Sequence, residues 1–330
     1  MAGDKSTLID LLRRAGLSKT AIDAAWPSWW TDEADSSLSG RAELRFALAR
    51  RLGLDPQPLL GERVEFIWND EARFKHLSTQ DEKQKAALAS FGLAVGRLLL
   101  RGTPPVQVAK LTAEELRAAI LAGSAFVDLG SLVAACWALG IPVIHLRIFP
   151  LETKSMHAMV VTEGNRFAVL LGRDVSYPAP MAFTLAHEIG HVMLNHLDGA
   201  LALVDLEDPA TAGGDDFQED EADRFALTLL TGSPNPKIET NLDRFNAPTL
   251  AAAVLDASRQ YAVEPGTLAL CLAHARNAWP VAMSAMRFIY NEPKPAWREI
   301  NGIADGELAW DELGEDAAKF LHKVMIGNNV

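Results

Sequence analysis

The stretch Thr184-Leu-Ala-His-Glu-Ile-Gly-His-Val-Met-Leu-Asn-His196 decides how this chain reads. It holds a His-Glu-x-x-His pattern at His187, Glu188 and His191. On a helix, positions i and i+4 lie one turn apart on one face. Two imidazoles placed so can share one zinc ion. Glu188 lies beside that face and reaches the attacking water, taking its proton and passing it to the leaving amine. The neighbours Ala186, Ile189, Gly190, Val192 and Met193 are uncharged, and Phe183 and Leu194 supply packing. That setting fits a buried metal helix better than an exposed one carrying two histidines by chance.

A catalytic zinc usually takes three protein ligands and keeps one position open. His196, five residues beyond His191, is rotated off the metal face and suits the helix end, where a cation favours the dipole. The third ligand is expected from Glu219-Asp-Glu-Ala-Asp-Arg-Phe-Ala, which opens a second helix with Ala222, Phe225, Ala226 and Leu229 on its buried side. Glu219 lies on that inward side, and Asp223 follows one turn later. Glu221 is rotated from Glu219 by about 200°. The expected metal set is therefore His187, His191 and Glu219, holding Zn2+, with Glu221 the alternative third ligand. Asp223 is expected to accept from an imidazole N–H and so fix its orientation. Asp215, Asp216 and Asp220 read as a solvated helix start.

Outward from the motif, the 330 residues are enough for two or three domains. The net charge of −12 argues against general attraction to nucleic acid or anionic membrane. The two cysteines, Cys136 and Cys271, read as buried free thiols in a reducing compartment. Met-Ala-Gly-Asp-Lys is followed by no signal-peptide core. The longest apolar run, Leu132 to Ile141, falls short of the roughly 20 residues that cross a bilayer. A cytoplasmic protein is expected.

Residues 1–60 read as a bundle of short helices, 61–122 as a helical connector, 123–232 as the metal-bearing core and 233–330 as a helical C-terminal segment. Ser18-Lys19-Thr20 suits a helix start, and Thr112-x-x-Glu115 fits a capping box. Residues 142–149, 156–162 and 167–171 are rich in β-branched side chains, and the last two flank a Glu163-Gly164-Asn165 hairpin turn. The fold class expected is α+β: a small, mainly antiparallel sheet packed on a two-helix zinc core, with helical segments at both ends. Between Asp198 and Asp223 stand ten acidic residues and no basic one. Residues 1–60 carry eight acidic and eight basic groups, a balance unlike a phosphate-tracking surface. His157, on a strand, is a candidate for lining the cleft or for the strand's outer surface. Tyr177 is a candidate oxyanion donor. His76, His145, His274 and His322 have no partner pattern.

Phe183-Thr-Leu-Ala-His-Glu-Ile-Gly-His, followed some thirty residues later by Glu219-x-Glu-Ala-Asp-x-Phe-Ala-x-x-Leu-Leu, resembles the ImmA/IrrE family of metallopeptidases. The Glu-x-x-x-Asp form is also similar to the wider gluzincin group, in which the first Glu binds zinc. The likeness is specific over 140–232, and Ala251 to Ala273 resembles the helical segment that follows the family core. Asp223 stands where the family usually has Asn, and Thr231-Gly232 replaces its Met-Pro. The loop between the two helices is longer and more acidic than the family pattern. The resemblance implies site-specific endopeptidase activity on a regulator, often a helix-turn-helix repressor. It also implies an N-terminal helix-turn-helix in some members, matched here by residues 41–60 and poorly by 1–40. DNA binding by this segment is thus weakly supported, and no membrane partner is expected.

The function expected is a zinc-dependent endopeptidase acting on a protein substrate. One alternative is a regulatory protein that keeps the fold and acts by binding a partner or DNA. Another is a stress-response component whose peptidase is normally closed, with the acidic loop at 198–216 as its cover.

Overall fold

The computed structural model describes residues 4–68, 72–75, 82–152, 156–197, 199–206, 217–238, 240 and 244–327. The N-terminal helices are α1 (Asp4–Arg14), α2 (Lys19–Ala25), α3 (Asp32–Ser36), α4 (Leu38–Leu52) and α5 (Pro56–Leu60). Then come β1 (Ala72–Lys75), α6 (Glu82–Arg101), α7 (Ala113–Leu121), α8 (Leu129–Ala138), β2 (Val143–His145), β3 (Ala158–Glu163) and β4 (Arg166–Leu171). The motif helix α9 spans Pro178–Met193, β5 spans Ala202–Asp205, and α10 spans Phe217–Thr231. The chain ends with α11 (Ala247–Tyr261), α12 (Pro265–Arg276), α13 (Trp279–Tyr290), α14 (Ala296–Glu307) and α15 (Glu315–Ile326). The α+β class is thus as expected. Among the described residues no helix is long and apolar enough to cross a membrane.

The five strands are ordered β1-β5-β3-β4-β2. At the centre, β3 runs antiparallel to both β4 and β5, whereas each edge pairing, β1 with β5 and β2 with β4, is parallel. The β3–β4 hairpin turns where Gly164 adopts φ 63°, a conformation that suits a residue without Cβ. Residues 158–161 and 167–171 are buried, which explains their continuous apolar runs. Helix α6 lies across β3 at two glycines. A Cβ on Gly92 would collide with Met159, and one on Gly96 with Val161.

Two strands were not expected from the sequence. One is β1, and the other is β5, which sits inside the acidic loop. β5 has only four residues, Ala202-Leu-Val-Asp205, all buried, and gains its pairing from β3 through Val160↔Leu203 and Ala158↔Asp205. Such a segment is too short for its local pattern to outweigh the acidic sequence around it.

Helices α9 and α10 pack side by side. Gly190 meets Ala222 there: a Cβ on Gly190 would lie 3.1 Å from the Ala222 Cα. The C-terminal end of α10 is pinned by the buried Arg117, whose guanidinium donates to the carbonyls of Leu229, Leu230 and Ala262. The predicted capping box at Thr112 and Glu115 on α7 is present in both halves. Lys110 donates to the Val192 carbonyl near the end of α9.

Helices α1, α2 and α4 bury Leu8, Leu12, Ile22, Leu44, Leu48 and Leu52 in the same hydrophobic core as the sheet. Ser18 caps α2, as expected, and also donates to the Phe149 carbonyl. Arg51 pairs with Asp316 on α15 and donates to the Ala25 carbonyl. Asn301 on α14 ties His145 to Met325. Helices α11 to α13 have a separate core of Leu250, Val254, Leu268, Leu272 and Met286. Both cysteines are free.

Candidate metal centre

Helix α9 carries His187, Glu188 and His191 on adjacent turns, and all three are buried. The Nε2 atoms of His187 and His191 face each other at 2.9 Å. From α10, Glu219 places Oε2 3.2 Å from His187 Nε2 and Oε1 3.6 Å from His191 Nε2. From the end of β5, Asp205 brings Oδ2 to 3.8 Å from His187 Nε2. Donor atoms of these four residues all lie within 4.8 Å of one another, a group able to hold a metal ion.

The outer faces of the imidazoles are occupied. His187 Nδ1 lies 2.8 Å from Asp223 Oδ1. His191 Nδ1 lies 2.8 Å from His196 Nδ1, and His196 Nε2 lies 3.3 Å from Glu221 Oε2. With Nδ1 of His187 donating outward, its Nε2 lone pair is left for the centre. His196 reaches this place because α9 stops at Met193 and Asn195 turns at φ 63°. The His196 N–H then bonds back to the His191 carbonyl at 3.0 Å.

The donor set fits zinc on geometry. Zinc bonds to nitrogen and oxygen of about 2.0–2.2 Å imply tetrahedral edges of about 3.3–3.6 Å between ligand atoms. The four separations above, from 2.9 to 3.8 Å, straddle that value. Two imidazoles with carboxylates also suit a borderline ion of this kind.

Charge makes the same point. Both oxygens of Glu188 are buried and meet no N–H or hydroxyl donor among the described residues; the group they face is the Asp205 carboxyl. Burial, and next the charge of Asp205, push this carboxyl well above the usual carboxylate range. His187 is pushed up to about 10: burial acts against its charged form and is outweighed by the hydrogen bonds to Asp223 and Glu219, with help from Glu188 and Asp205. In the absence of a cation the pocket therefore gathers protons. Glu188, Asp205 and Glu219 surround a place where positive charge is stabilised.

Of the residues expected from the sequence, His187, His191 and Glu219 come together, Asp223 lies on His187, and Glu188 lies beside the group. Glu221, the alternative ligand, is on His196 and outside the group. Tyr177 precedes α9 and stacks on Tyr290, ring centroids 5.5 Å apart. His157, just before β3, donates its backbone N–H to the Asp205 carbonyl at 2.9 Å, which puts its backbone next to the group. His76 and most of the expected acidic cover, residues 198 and 207–216, lie outside the described residues. Sequence reasoning missed Asp205 and the position of His196. The signal for Asp205 was faint: three apolar residues, Ala202 to Val204, ending in an acid within an acidic loop. The signal for His196 was Asn195, a residue type that tolerates the left-handed turn.

Residues 139–239 match the IrrE N-terminal-like domain, a peptidase family. The match runs from the end of α8 to beyond α10 and contains every residue of the centre. It bears out, over this segment, the resemblance read from the sequence. No curated protein matches the chain.

Proposed function

We propose that this chain, whose residues 139–239 form an IrrE N-terminal-like peptidase domain, is a zinc-dependent endopeptidase. Its substrate on this reading is a protein, a transcriptional regulator of the helix-turn-helix type, cleaved in the cytoplasm as part of a stress response. One observation carries the reading: a fully buried Glu188 stands beside convergent His187, His191 and Glu219. When bound, the zinc supplies Lewis acidity, lowering the pKa of a water and polarising a substrate carbonyl. The protein's own work is positional. Asp223 holds the His187 ring, and Glu219 crosses from α10 to complete the ligand set. Glu188 takes a proton from the attacking water and delivers it to the leaving amine. Its desolvated setting raises its basicity toward that task. The substrate backbone pairs as an extended strand with a sheet edge; β1, beside β5, is the outer strand on the side of the centre.

The test is zinc content together with cleavage of a candidate regulator by wild type and Glu188→Gln. The variant should keep about one zinc and lose activity about 10²–10⁴-fold. A wild type that takes up no zinc when supplied with it overturns the reading. The rival, a regulator acting by partner or DNA binding, requires that Glu188→Gln leave function intact.

A further inference from the structure

We propose that Asp205 is a fourth protein ligand of the metal, so that four side chains close the resting centre. The inference rests on the centre being a divalent-metal site and adds what fills the position a catalytic zinc ordinarily leaves open. Asp205 is 2 % exposed and ends β5. Its backbone is held by pairing with Ala158 and by the hydrogen bond from the His157 N–H. Its carboxylate is thus delivered by the sheet, independently of α9 and α10.

Which nitrogen it faces decides between a ligand and an outer partner. An outer carboxylate orients a ligating imidazole by accepting from the ring nitrogen that points away from the metal. On His187 that place belongs to Asp223, at Nδ1. Asp205 is instead at 3.8 Å from Nε2, the nitrogen that also faces His191 and Glu219. It therefore stands on the metal side. Drawing its oxygen inward by about half an ångström would bring it to the edge length of a zinc tetrahedron.

With Asp205 in place, substrate or water must displace it or expand the coordination to five. The resting protein is then latent, and Asp205 is the group that must yield. Glu188 is spared this role: its place on α9 beside the histidines leaves it free to handle protons.

The experiment measures zinc affinity by competition with a chromogenic chelator for wild type, Asp205→Asn, Asp205→Ala and His191→Ala. The melting temperature of each metal-free protein checks that it folds. The expected result is that both Asp205 variants fold at least as stably as wild type without metal, since a buried charge is gone. They should bind zinc more than about 100-fold more weakly, beyond the 10–100-fold typical of outer partners. Affinity within about 100-fold of wild type, the range of an outer partner, overturns the assignment and leaves Asp205 as a neighbour of the centre only. Failure of wild type itself to bind zinc removes the metal site, a different failure that His191→Ala identifies by matching it.

Discussion

Two buried glutamates in this protein have opposite surroundings. Glu264 caps α12: its Oε2 accepts from the Thr267 backbone N–H at 2.6 Å and from the Thr267 hydroxyl at 3.0 Å, and its Oε1 accepts from the Tyr290 hydroxyl at 2.6 Å. Burial, and then the Glu264 charge, push the Tyr290 phenol up, so that it remains a donor. Glu188 is as deeply buried, and among the described residues it meets no N–H or hydroxyl donor, only the Asp205 carboxyl. A buried acceptor without a donor costs about 1–3 kcal/mol, and more when charged. The first carboxylate is complete within the fold. The second faces another acid, Asp205, and that pair is completed by a proton or by a metal ion. A buried acid therefore marks structure or chemistry according to who faces it, not according to how deep it lies.

The largest effect that sharpens this contrast is metal removal. Stripping zinc should lower the melting temperature of wild type, because a ligand at a thousandfold excess over its Kd contributes about 4 kcal/mol. The drop should vanish in His191→Ala, which has no zinc to lose, and persist in full in Glu264→Gln. Calorimetry with and without chelator reads both. An equal drop in His191→Ala would place the bound zinc elsewhere.

Next comes removal of the satisfied acid. Glu264→Ala loses a helix cap worth about 1 kcal/mol and strands the Tyr290 hydroxyl at about 1–3 kcal/mol. A destabilisation of about 2–4 kcal/mol is expected with zinc affinity unchanged. Glu188→Gln should do the reverse, leaving the metal-free protein as stable or more so. If Glu188→Gln proved as destabilising as Glu264→Ala in urea titrations, the two acids would be equivalent and the contrast would fail.

Much of this was legible in the sequence, for a physical reason. His187, Glu188 and His191 are related by helical period, and so are Glu219 and Asp223, so local pattern places each set on a face. The β3–β4 hairpin was readable because Gly164 marks its turn. Asp205 was not readable, because it reaches the centre through a strand pairing across the sheet, Ala158↔Asp205, which no local period encodes. His196 was half readable: its rotation off the metal face was correct for a continuing helix. The helix does not continue, and the turn at Asn195 brings the ring back against His191.

A smaller effect is expected at the helix crossing. Gly190→Ala would press a methyl to 3.1 Å from the Ala222 Cα and 3.2 Å from its carbonyl oxygen, both backbone atoms. Overpacking of this kind costs about 1–3 kcal/mol. It should also move Glu219 from the histidines and so weaken zinc binding along with stability. Loss of stability with unaltered zinc affinity would show that α10 absorbs the methyl by shifting away from the centre.

The smallest effect concerns the chain from His191 through His196 to Glu221. If His191 uses Nε2 toward the metal, its Nδ1 carries the proton and donates to His196 Nδ1. The remaining His196 proton then lies on Nε2 and faces Glu221. Glu221 thus acts two imidazoles away from the centre. His196→Phe, which removes the acceptor, should weaken zinc binding about 10–100-fold. Glu221→Gln keeps an acceptor oxygen and should change affinity by less than about tenfold. The sequence left Glu219 and Glu221 both open as third ligand, and Glu221→Gln beside Glu219→Gln separates them. A Glu221→Gln protein that fails to hold zinc, beside a Glu219→Gln protein that holds it, would exchange their roles and turn α10 by more than half a revolution.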